Sequence, residues 1–174
     1  MCGIDALTLA IRDVPDFPKP GILFKDITPV LGDPDLFRRA ISLFADRHRD
    51  AGIRRVAGIE ARGFIFAAAL ALELGAGVIP IRKKGKLPHK TVELSYELEY
   101  GEATLEIHVD ALARGERVLL IDDLLATGGT AAASAALIKK VGGEIAEIDF
   151  LVELAFLNGR EKLDGYPVFA PIVF

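Results

Sequence analysis

The sequence contains a single cysteine, and this scarcity limits the chemistry that it can carry. Cys2 is alone among 174 residues, so the chain forms no internal disulfide and builds no zinc site from cysteine ligands. Long apolar runs are also missing, because the longest, from Phe64 to Leu72, has nine residues, whereas a membrane-spanning helix needs about 20. Asp5 precedes any apolar stretch and no basic region leads the chain, so no signal peptide is expected.

An excess of positive charge is absent as well. The 21 lysines and arginines are outnumbered by 25 aspartates and glutamates, which leaves a formal net charge of −4. This balance gives no long-range attraction for nucleic acid or for an anionic membrane, and neither is expected as a partner. Any anion that the chain binds must be held by positive or hydrogen-bonding groups at its binding site, because the net charge does not attract it. The composition, with 51% hydrophobic and 26% charged residues, is that of one cytoplasmic globular domain.

Short apolar segments alternate with amphipathic ones, which predicts an α/β fold. Continuous apolar runs predict buried strands over Arg55–Ile59, Gly77–Ile81, Val118–Ile121 and Ile148–Val152. Helical spacing and end signals predict helices over Ile4–Ile11, from Asp33-Pro34 to Gly52, over Phe64–Leu74 and over Thr130–Val141. We therefore expect a single domain whose central, mostly parallel sheet is flanked by helices.

Two segments depart from this alternation of strands and helices. Apolar and polar residues alternate from Val92 to Tyr100 and again from Leu105 to Val109, which predicts an antiparallel hairpin with one exposed face. The segment from Val14 to Pro29 carries four prolines and a glycine. It is expected to be an extended loop with few backbone ladder bonds.

The most informative segment runs from Val118 to Thr130. A buried strand ends there in two acids, and a loop of small residues then opens a helix. Glycine-loop N–H groups at a helix N-terminus hold phosphate, and the acids can accept hydrogen bonds from ribose hydroxyls. The turn has no lysine for a Walker A motif and no GxGxxG; the ordinary alternative is a tight turn with an N-cap. The predicted ligand-binding residues are Asp122, Asp123, Ala126, Thr127, Gly128, Gly129 and Thr130.

This segment resembles the signature by which type I phosphoribosyltransferases bind phosphoribosyl pyrophosphate (PRPP), and the likeness extends from about Ile11 to Val152. Phe17–Pro29 resembles the family's base-covering segment, Gly58–Phe64 its pyrophosphate loop and Tyr96–Gly101 its flexible active-site loop. The first and last of these point to members that use adenine. The resemblance implies one phosphoribosyltransferase domain over 1–174, with a hood over about 1–32 and a basic loop and flexible hairpin over about 83–109.

The reaction implied by the resemblance transfers the 5-phosphoribosyl group of PRPP to N9 of adenine and yields AMP and pyrophosphate. Mg²⁺ would arrive with PRPP, since the sequence has no HxxxH pair or other all-protein metal constellation, and no direct metal ligand is expected. A homodimer is implied too. Two alternatives stay open: a phosphoribosyltransferase for another purine such as xanthine, and a non-catalytic protein that senses PRPP or a purine.

The resemblance also assigns roles to individual residues, each of which has an ordinary alternative. Arg62 would act in catalysis and, near a cis peptide at Ala61, in pyrophosphate binding, or it would form a surface ion pair. Glu99 would be the acid/base of the hairpin, or a solvated strand carboxylate. Phe24 would stack on adenine, or belong to the core. The implied residues are Ala61, Arg62, Arg82 and Lys86 for pyrophosphate, Glu99, Arg62 and Tyr100 for catalysis, and Leu23, Phe24 and Lys25 for adenine.

Overall fold

The computed structural model describes residues 3–97 and 101–174 and has the expected α/β architecture. The helices are α1 (Gly3–Ala10), α2 (Thr28–Gly32), α3 (Pro34–His48), α4 (Gly63–Leu74) and α5 (Gly129–Lys140), with short 3₁₀ helices at Ala155–Leu157 and Gly159–Leu163. The strands are β1 (Arg12–Pro15), β2 (Leu23–Asp26), β3 (Arg55–Ile59), β4 (Gly77–Lys83), β5 (Thr91–Glu97), β6 (Glu102–His108), β7 (Arg117–Leu125), β8 (Glu144–Glu153), β9 (Val168–Phe169) and β10 (Ile172–Val173). The chain forms two compact units, Met1–Phe44 and Ala45–Phe174.

The larger unit is built on one mixed sheet. Its strands follow the order β10-β8-β7-β3-β4-β6-β5, and β9 pairs with β8. Strands β10, β8, β7, β3 and β4 pair in parallel, whereas β6 pairs antiparallel with both β4 and β5. The predicted mostly parallel sheet with a hairpin insertion is therefore confirmed. The parallel pairing brings the carboxyl ends of β3 and β7 to the same edge of the sheet.

Both faces of the parallel strands are covered. Ala57 and Ile59 of β3 belong to the buried cluster that also contains the inner residues of α5. Gly58, which lies between them, faces α4 so closely that a Cβ there would lie 2.7 Å from the Cβ of Ala67. Because successive strand residues point to opposite faces, a strand covered on both sides must be apolar throughout. This explains why the strands appear in the sequence as continuous apolar runs.

Two predicted helix ends are found where their signals lie, whereas α3 ends at His48, four residues before the predicted stop at Gly52. The Oδ1 atom of Asp33 accepts hydrogen bonds from the backbone N–H groups of Asp35 and Leu36 at 2.9 and 3.0 Å, which caps α3. At the C-terminus of α4, Gly75 has a φ of +63° and ends the helix in the left-handed conformation that glycine adopts without strain. Within residues 3–97 and 101–174, no helix combines the length and apolar character that crossing a bilayer requires.

The prediction of a loop over Val14–Pro29 was wrong in part. In the smaller unit β1 and β2 form a two-stranded antiparallel sheet, in which Arg12 pairs with Asp26 and Asp13 with Lys25. Both of these register pairs are also ion pairs, at 3.2 and 2.6 Å, and cross-strand charges of opposite sign stabilise such a ladder. The prolines do not prevent it, because they lie at the end of the ladder, in the turn, or in the first turn of α2.

Strand β7 is longer than its apolar run. The sequence predicted an apolar strand over Val118–Ile121 that ends in the two acids, but β7 continues past Asp122 and Asp123 to Leu125. The cause is the neighbouring strand, since pairing with β8 continues as far as Leu125 opposite Glu153. Backbone pairing of this kind overrides the local preference of aspartate against strands.

Candidate active site

A cleft of about 210 Å³ opens at the carboxyl ends of β3 and β7. It is lined by Glu60, Ala61 and Arg62 after β3, by the continuous segment Asp122–Ala131, and by Phe150 of β8. All of the residues predicted to bind ribose and phosphate therefore lie in one cleft together with Ala61 and Arg62. Glu60, Leu124, Leu125, Ala131 and Phe150 also line it and had been assigned no role from the sequence.

The loop after β3 is pressed against β7 because a glycine follows Arg62. A Cβ on Gly63 would lie 2.9 Å from both Asp122 Oδ1 and the Ile121 carbonyl oxygen, so a side chain at this position would displace β7 or the start of α4. The predicted cis peptide is present between Glu60 and Ala61. This close packing sets the arginine loop directly beside the two acids.

The glycine loop is backed by a segment that the sequence analysis had not singled out. Gly128 has a φ of +78°, and a Cβ on it would clash with the carbonyl oxygen of Gly159, while a Cβ on Gly159 would clash with the carbonyl oxygen of Ala126. The two backbones cross at van der Waals contact, which only glycine permits on each side. The sequence offered one signal for this segment, a glycine followed by a charged residue after the last long strand.

An ion pair fixes this backing segment to the sheet. Arg160 donates from Nε to Glu153 Oε1 at 2.8 Å and from its terminal nitrogen to Glu153 Oε2 at 2.6 Å, and it also donates to the Val168 carbonyl at 3.0 Å. Paired donors of this kind hold a planar guanidinium in one orientation. Gly159, next in the chain, is held against the glycine loop as a result.

The charges inside the cleft are arranged around the two acids of β7. The Arg62 guanidinium forms an ion pair with Asp123, whose side chain is 6% exposed. The Asp123 backbone N–H donates to Asp122 Oδ1 at 2.9 Å. Burial, and after it the negative charge of Asp123, raise the pKa of Asp122 well above its ordinary value. The neighbouring acids thus differ: Asp123 is paired with a cation, whereas burial disfavours the charged form of Asp122.

Glu60 connects the cleft to the basic segment after β4. It accepts hydrogen bonds from Arg82 Nε at 3.0 Å and from the Lys83 backbone N–H at 3.2 Å, and the bond from Arg82 lowers the pKa of Glu60. Arg82 and Lys86 are not among the residues that line the cleft. Arg82 reaches it through Glu60, and the Lys86 carbonyl accepts from Arg82 at 3.0 Å.

Glu99 and Tyr100, the predicted catalytic residues of the hairpin, lie outside the described residues. The described part of the hairpin, β5 and β6, leads toward the glycine loop. The Tyr96 hydroxyl lies 3.0 Å from the Thr130 hydroxyl, and the Tyr96 ring would lie 3.6 Å from a Cβ on Gly129. The hairpin therefore contacts the start of α5.

Leu23, Phe24 and Lys25, predicted to bind adenine, form most of β2 in the smaller unit. The Phe24 ring meets Phe17 edge to face with ring centres 5.1 Å apart, and the Lys25 ammonium pairs with Asp13 at 2.6 Å. A strand of a two-stranded sheet bonds to its partner along one edge, so alternate N–H and C=O groups of β2 point away from β1. Such groups can read the edge of a base.

An arginine loop and a glycine loop that meet at the carboxyl edge of a parallel sheet define the site of a phosphoribosyltransferase. A family model described as the phosphoribosyl transferase domain matches residues 29–171. The adenine phosphoribosyltransferase of Solidesulfovibrio magneticus is 59% identical over 156 residues, which cover 90% of this chain and 91% of that protein. That of Methylacidiphilum infernorum is 52% identical over 172 residues, 99% of this chain and 96% of that protein.

Solved structures give the same result. The adenine phosphoribosyltransferase of Thermoanaerobacter pseudethanolicus superposes with a TM-score of 0.95 at 51% identity, over 98% of this chain and 99% of that one. The Saccharomyces cerevisiae enzyme, solved with adenine and an imino-altritol bisphosphate, has a TM-score of 0.93 at 40% identity, over 98% of each chain. The chain belongs to the adenine phosphoribosyltransferase family, the pentosyltransferases of purine salvage.

Proposed function

We propose that this protein transfers the 5-phosphoribosyl group of PRPP to N9 of adenine, giving AMP and pyrophosphate. The observation that carries the proposal is the cleft, in which Arg62 of one loop faces the paired acids and the glycine loop of β7. Adenine as the base is supported by relatives of 52% and 59% identity that carry this name. The site residues below are part of the same proposal.

The segment from Ala126 to Thr130 binds the 5-phosphate of PRPP. Its backbone N–H groups open the 12-residue helix α5, whose dipole favours an anion at this end. Asp122 and Asp123 hold the ribose hydroxyls. Carboxyl oxygens accept hydrogen bonds from hydroxyl groups, so two neighbouring acids suit the neighbouring hydroxyls of a ribose.

Ala61, Arg62, Arg82 and Lys86 serve the pyrophosphate. When the C1–oxygen bond of PRPP breaks, its electron pair leaves with the pyrophosphate and positive charge develops on the sugar. The Arg62 guanidinium balances the leaving anion, and Asp123 beside it holds that guanidinium in place. Arg82, fixed by Glu60, and Lys86 add positive charge behind the loop.

Glu99 takes the proton that N9 of adenine loses as N9 bonds to C1. Tyr100 hydrogen-bonds near the same carbon, and the hairpin excludes water from the reactive sugar. This step needs a carboxylate close to the base, and Glu99 follows β5 in the sequence. Adenine itself is bound by Leu23, Phe24 and Lys25, with the Phe24 ring stacked on the base and the backbone of β2 along its edge.

Mg²⁺ fits the donor set of the cleft as an ion carried by PRPP. Mg²⁺ prefers phosphate oxygens, water and one or two carboxylates. The cleft offers the carboxyls of Asp122 and Asp123, of which Asp123 is already paired with Arg62. These residues would contact the ion through water, and the ion would neutralise charge on the pyrophosphate of PRPP.

We also propose that the enzyme is a cytoplasmic homodimer with one phosphoribosyltransferase domain over 1–174, in which about 1–32 form the hood and about 83–109 the basic loop and hairpin. The resemblance of the whole chain to its relatives supports this arrangement. Mass measurement in solution tests the oligomer, since a dimer has twice the chain mass of 18.7 kDa.

The test of the function is AMP formation from PRPP and Mg²⁺ with adenine, beside parallel reactions with xanthine, hypoxanthine and guanine. We expect turnover with adenine and little with the other bases. Glu99→Gln is the matched variant, with Glu161→Gln on the exposed surface as control. Glu99→Gln should lower turnover with the KM for adenine largely kept. Turnover with another base alone would overturn the specificity, and PRPP binding without turnover would indicate a sensor.

A further inference from the structure

Tyr96 is the hairpin residue whose side chain forms a hydrogen bond with the phosphate loop. Its hydroxyl oxygen lies 3.0 Å from Thr130 Oγ1, and its ring packs over Gly129. Tyr96 belongs to the cluster of side chains that pack on the buried core, while Thr130 lines the cleft. One hydrogen bond thus joins the core-packed face of the hairpin to the wall of the site.

The direction of this hydrogen bond follows from what each group can donate. A threonine hydroxyl has one proton, and a phosphate presents mainly acceptor oxygens. If Thr130 gives its proton to a phosphate in the loop, it cannot also donate to Tyr96, so the Tyr96 hydroxyl must donate to Thr130. A donor chain from Tyr96 to Thr130 to phosphate results, and each bond in such a chain strengthens the next.

We propose that Tyr96 is a positioning residue, whose hydroxyl donates to Thr130, leaves the Thr130 proton for the 5-phosphate of PRPP and fastens the hairpin to the phosphate loop. This inference rests on the proposed function, in which the loop binds that phosphate.

The hairpin is well suited to transmit this restraint. Tyr96 pairs with Ala103 and Glu97 with Glu102, and one step back Ser95 and Thr104 join their hydroxyls at 2.8 Å across the two strands. The Tyr96 backbone is therefore held by the ladder, and its side chain is held by Thr130. Losing the hydroxyl should loosen the link to the loop and leave the ladder intact.

The experiment is a double-mutant cycle with Tyr96→Phe, Thr130→Ala and the double variant, assayed for AMP formation. Tyr96→Phe should lower kcat/KM for PRPP by roughly five- to ten-fold, the effect of one lost hydrogen bond, with the KM for adenine unchanged. In the Thr130→Ala background the same substitution should have little further effect, because Tyr96 acts through Thr130. Tyr166→Phe, which removes a hydroxyl elsewhere on the core, is the control.

Two results would overturn the inference while leaving the function intact. One is an active wild type whose kcat/KM for PRPP is unchanged by Tyr96→Phe. The other is an equal loss in both backgrounds with a lowered Tm, which would assign Tyr96 to stability alone. A wild type that makes no AMP overturns the proposed function and this inference with it.

Discussion

Arg62 and Arg160 both pair with carboxylates of the central strands, yet they differ in what surrounds the pair. Arg160 binds Glu153 through two donors and the Val168 carbonyl through a third, outside the cleft. Arg62 lines the cleft and meets Asp123 there, with half of its side chain exposed. The position of each pair, rather than its type, separates a structural guanidinium from one that can meet a ligand.

Replacing Arg62 with alanine should therefore weaken the binding of pyrophosphate. A charged hydrogen bond to an anion is lost, which corresponds to a rise in the inhibition constant of pyrophosphate of roughly 10- to 100-fold. Arg49→Ala is the control, because Arg49 forms an exposed pair with Asp46 on α3 and the following turn. Inhibition by pyrophosphate measured against PRPP checks this, and an unchanged constant for Arg62→Ala would remove Arg62 from the pyrophosphate site.

Asp149 is a buried acid that the proposed reaction does not use. Its Oδ2 atom forms a hydrogen bond of 2.7 Å with His48 Nε2, and its Oδ1 atom has no hydrogen-bond partner among the described residues. Arg47 and Glu147 complete the charged groups around it. Burial raises the pKa of Asp149 to about 6 against the opposing influence of His48.

This shift makes stability depend on pH in a definite direction. The folded protein holds the Asp149 proton up to about pH 6, whereas the unfolded chain releases it near the ordinary pKa of about 4. The stabilisation that the Asp149 proton gives to the folded state is fully present below about pH 4. It is lost as pH rises through 6, and the total loss in the free energy of unfolding is about 3 kcal/mol. Unfolding of Asp149→Asn by urea at pH 4 to 7 should lack this fall, and Asp110→Asn should keep it. If the free energy of unfolding changed with pH in parallel for wild type and Asp149→Asn, burial would not destabilise the charged form of Asp149 by this amount.

At the scale of elements, the site depends on where backbones cross rather than on side chains alone. The glycine loop before α5 lies on the segment that follows β8, with Gly128 against Gly159. The arginine loop lies on β7 through Gly63. Each loop is thus shaped by a neighbouring element that is distant in sequence.

Gly128→Ala should disrupt the phosphate loop, since the new Cβ adds a clash with Gly159 to a positive φ of 78°. Gly165→Ala is a matched control, because Gly165 has a φ of +86° with open space around it. Because Gly165→Ala introduces no clash, it measures only the cost of a positive φ for alanine, about 1–2 kcal/mol. We expect kcat/KM for PRPP to fall at least ten-fold in Gly128→Ala and to stay near wild type in Gly165→Ala. Equal losses in both variants would mean that the crossing of the two backbones is unimportant.

The sequence predicted those elements whose signals are local. The strand Arg55–Ile59 was predicted at its observed bounds, and Asp33 and Gly75 marked helix ends by their own chemistry. The sequence did not predict those features that depend on contacts with residues distant in the chain. The extension of β7 through Asp122 and Asp123 needs β8, the β1–β2 ladder needs two segments either side of a proline-rich turn, and the support by Gly159 needs a backbone crossing.

At the scale of the whole molecule, the residues proposed to bind PRPP and those proposed to bind adenine fall in different units. Those for PRPP, from Ala61 to Thr130, belong to the unit Ala45–Phe174, and those for adenine belong to Met1–Phe44. Each unit is stabilised by its own contacts. The ion pairs of Lys25 and Arg12 join β1 to β2 in the smaller unit, and the mixed sheet stabilises the larger unit. A substitution in one unit should therefore affect one substrate.

Phe24→Ala tests this division. Stacking of a base on an aromatic ring is worth about 1–3 kcal/mol, so the KM for adenine should rise roughly ten-fold or more while the KM for PRPP stays near wild type. The Phe17 contact is lost as well, and a modest fall in Tm is expected from it. Phe24→Tyr keeps the ring and should restore adenine use, and Phe156→Ala, at a side chain 69% exposed, is the control. If the KM for PRPP rose as much as that for adenine, Phe24 would act on the fold of both units instead of on the base.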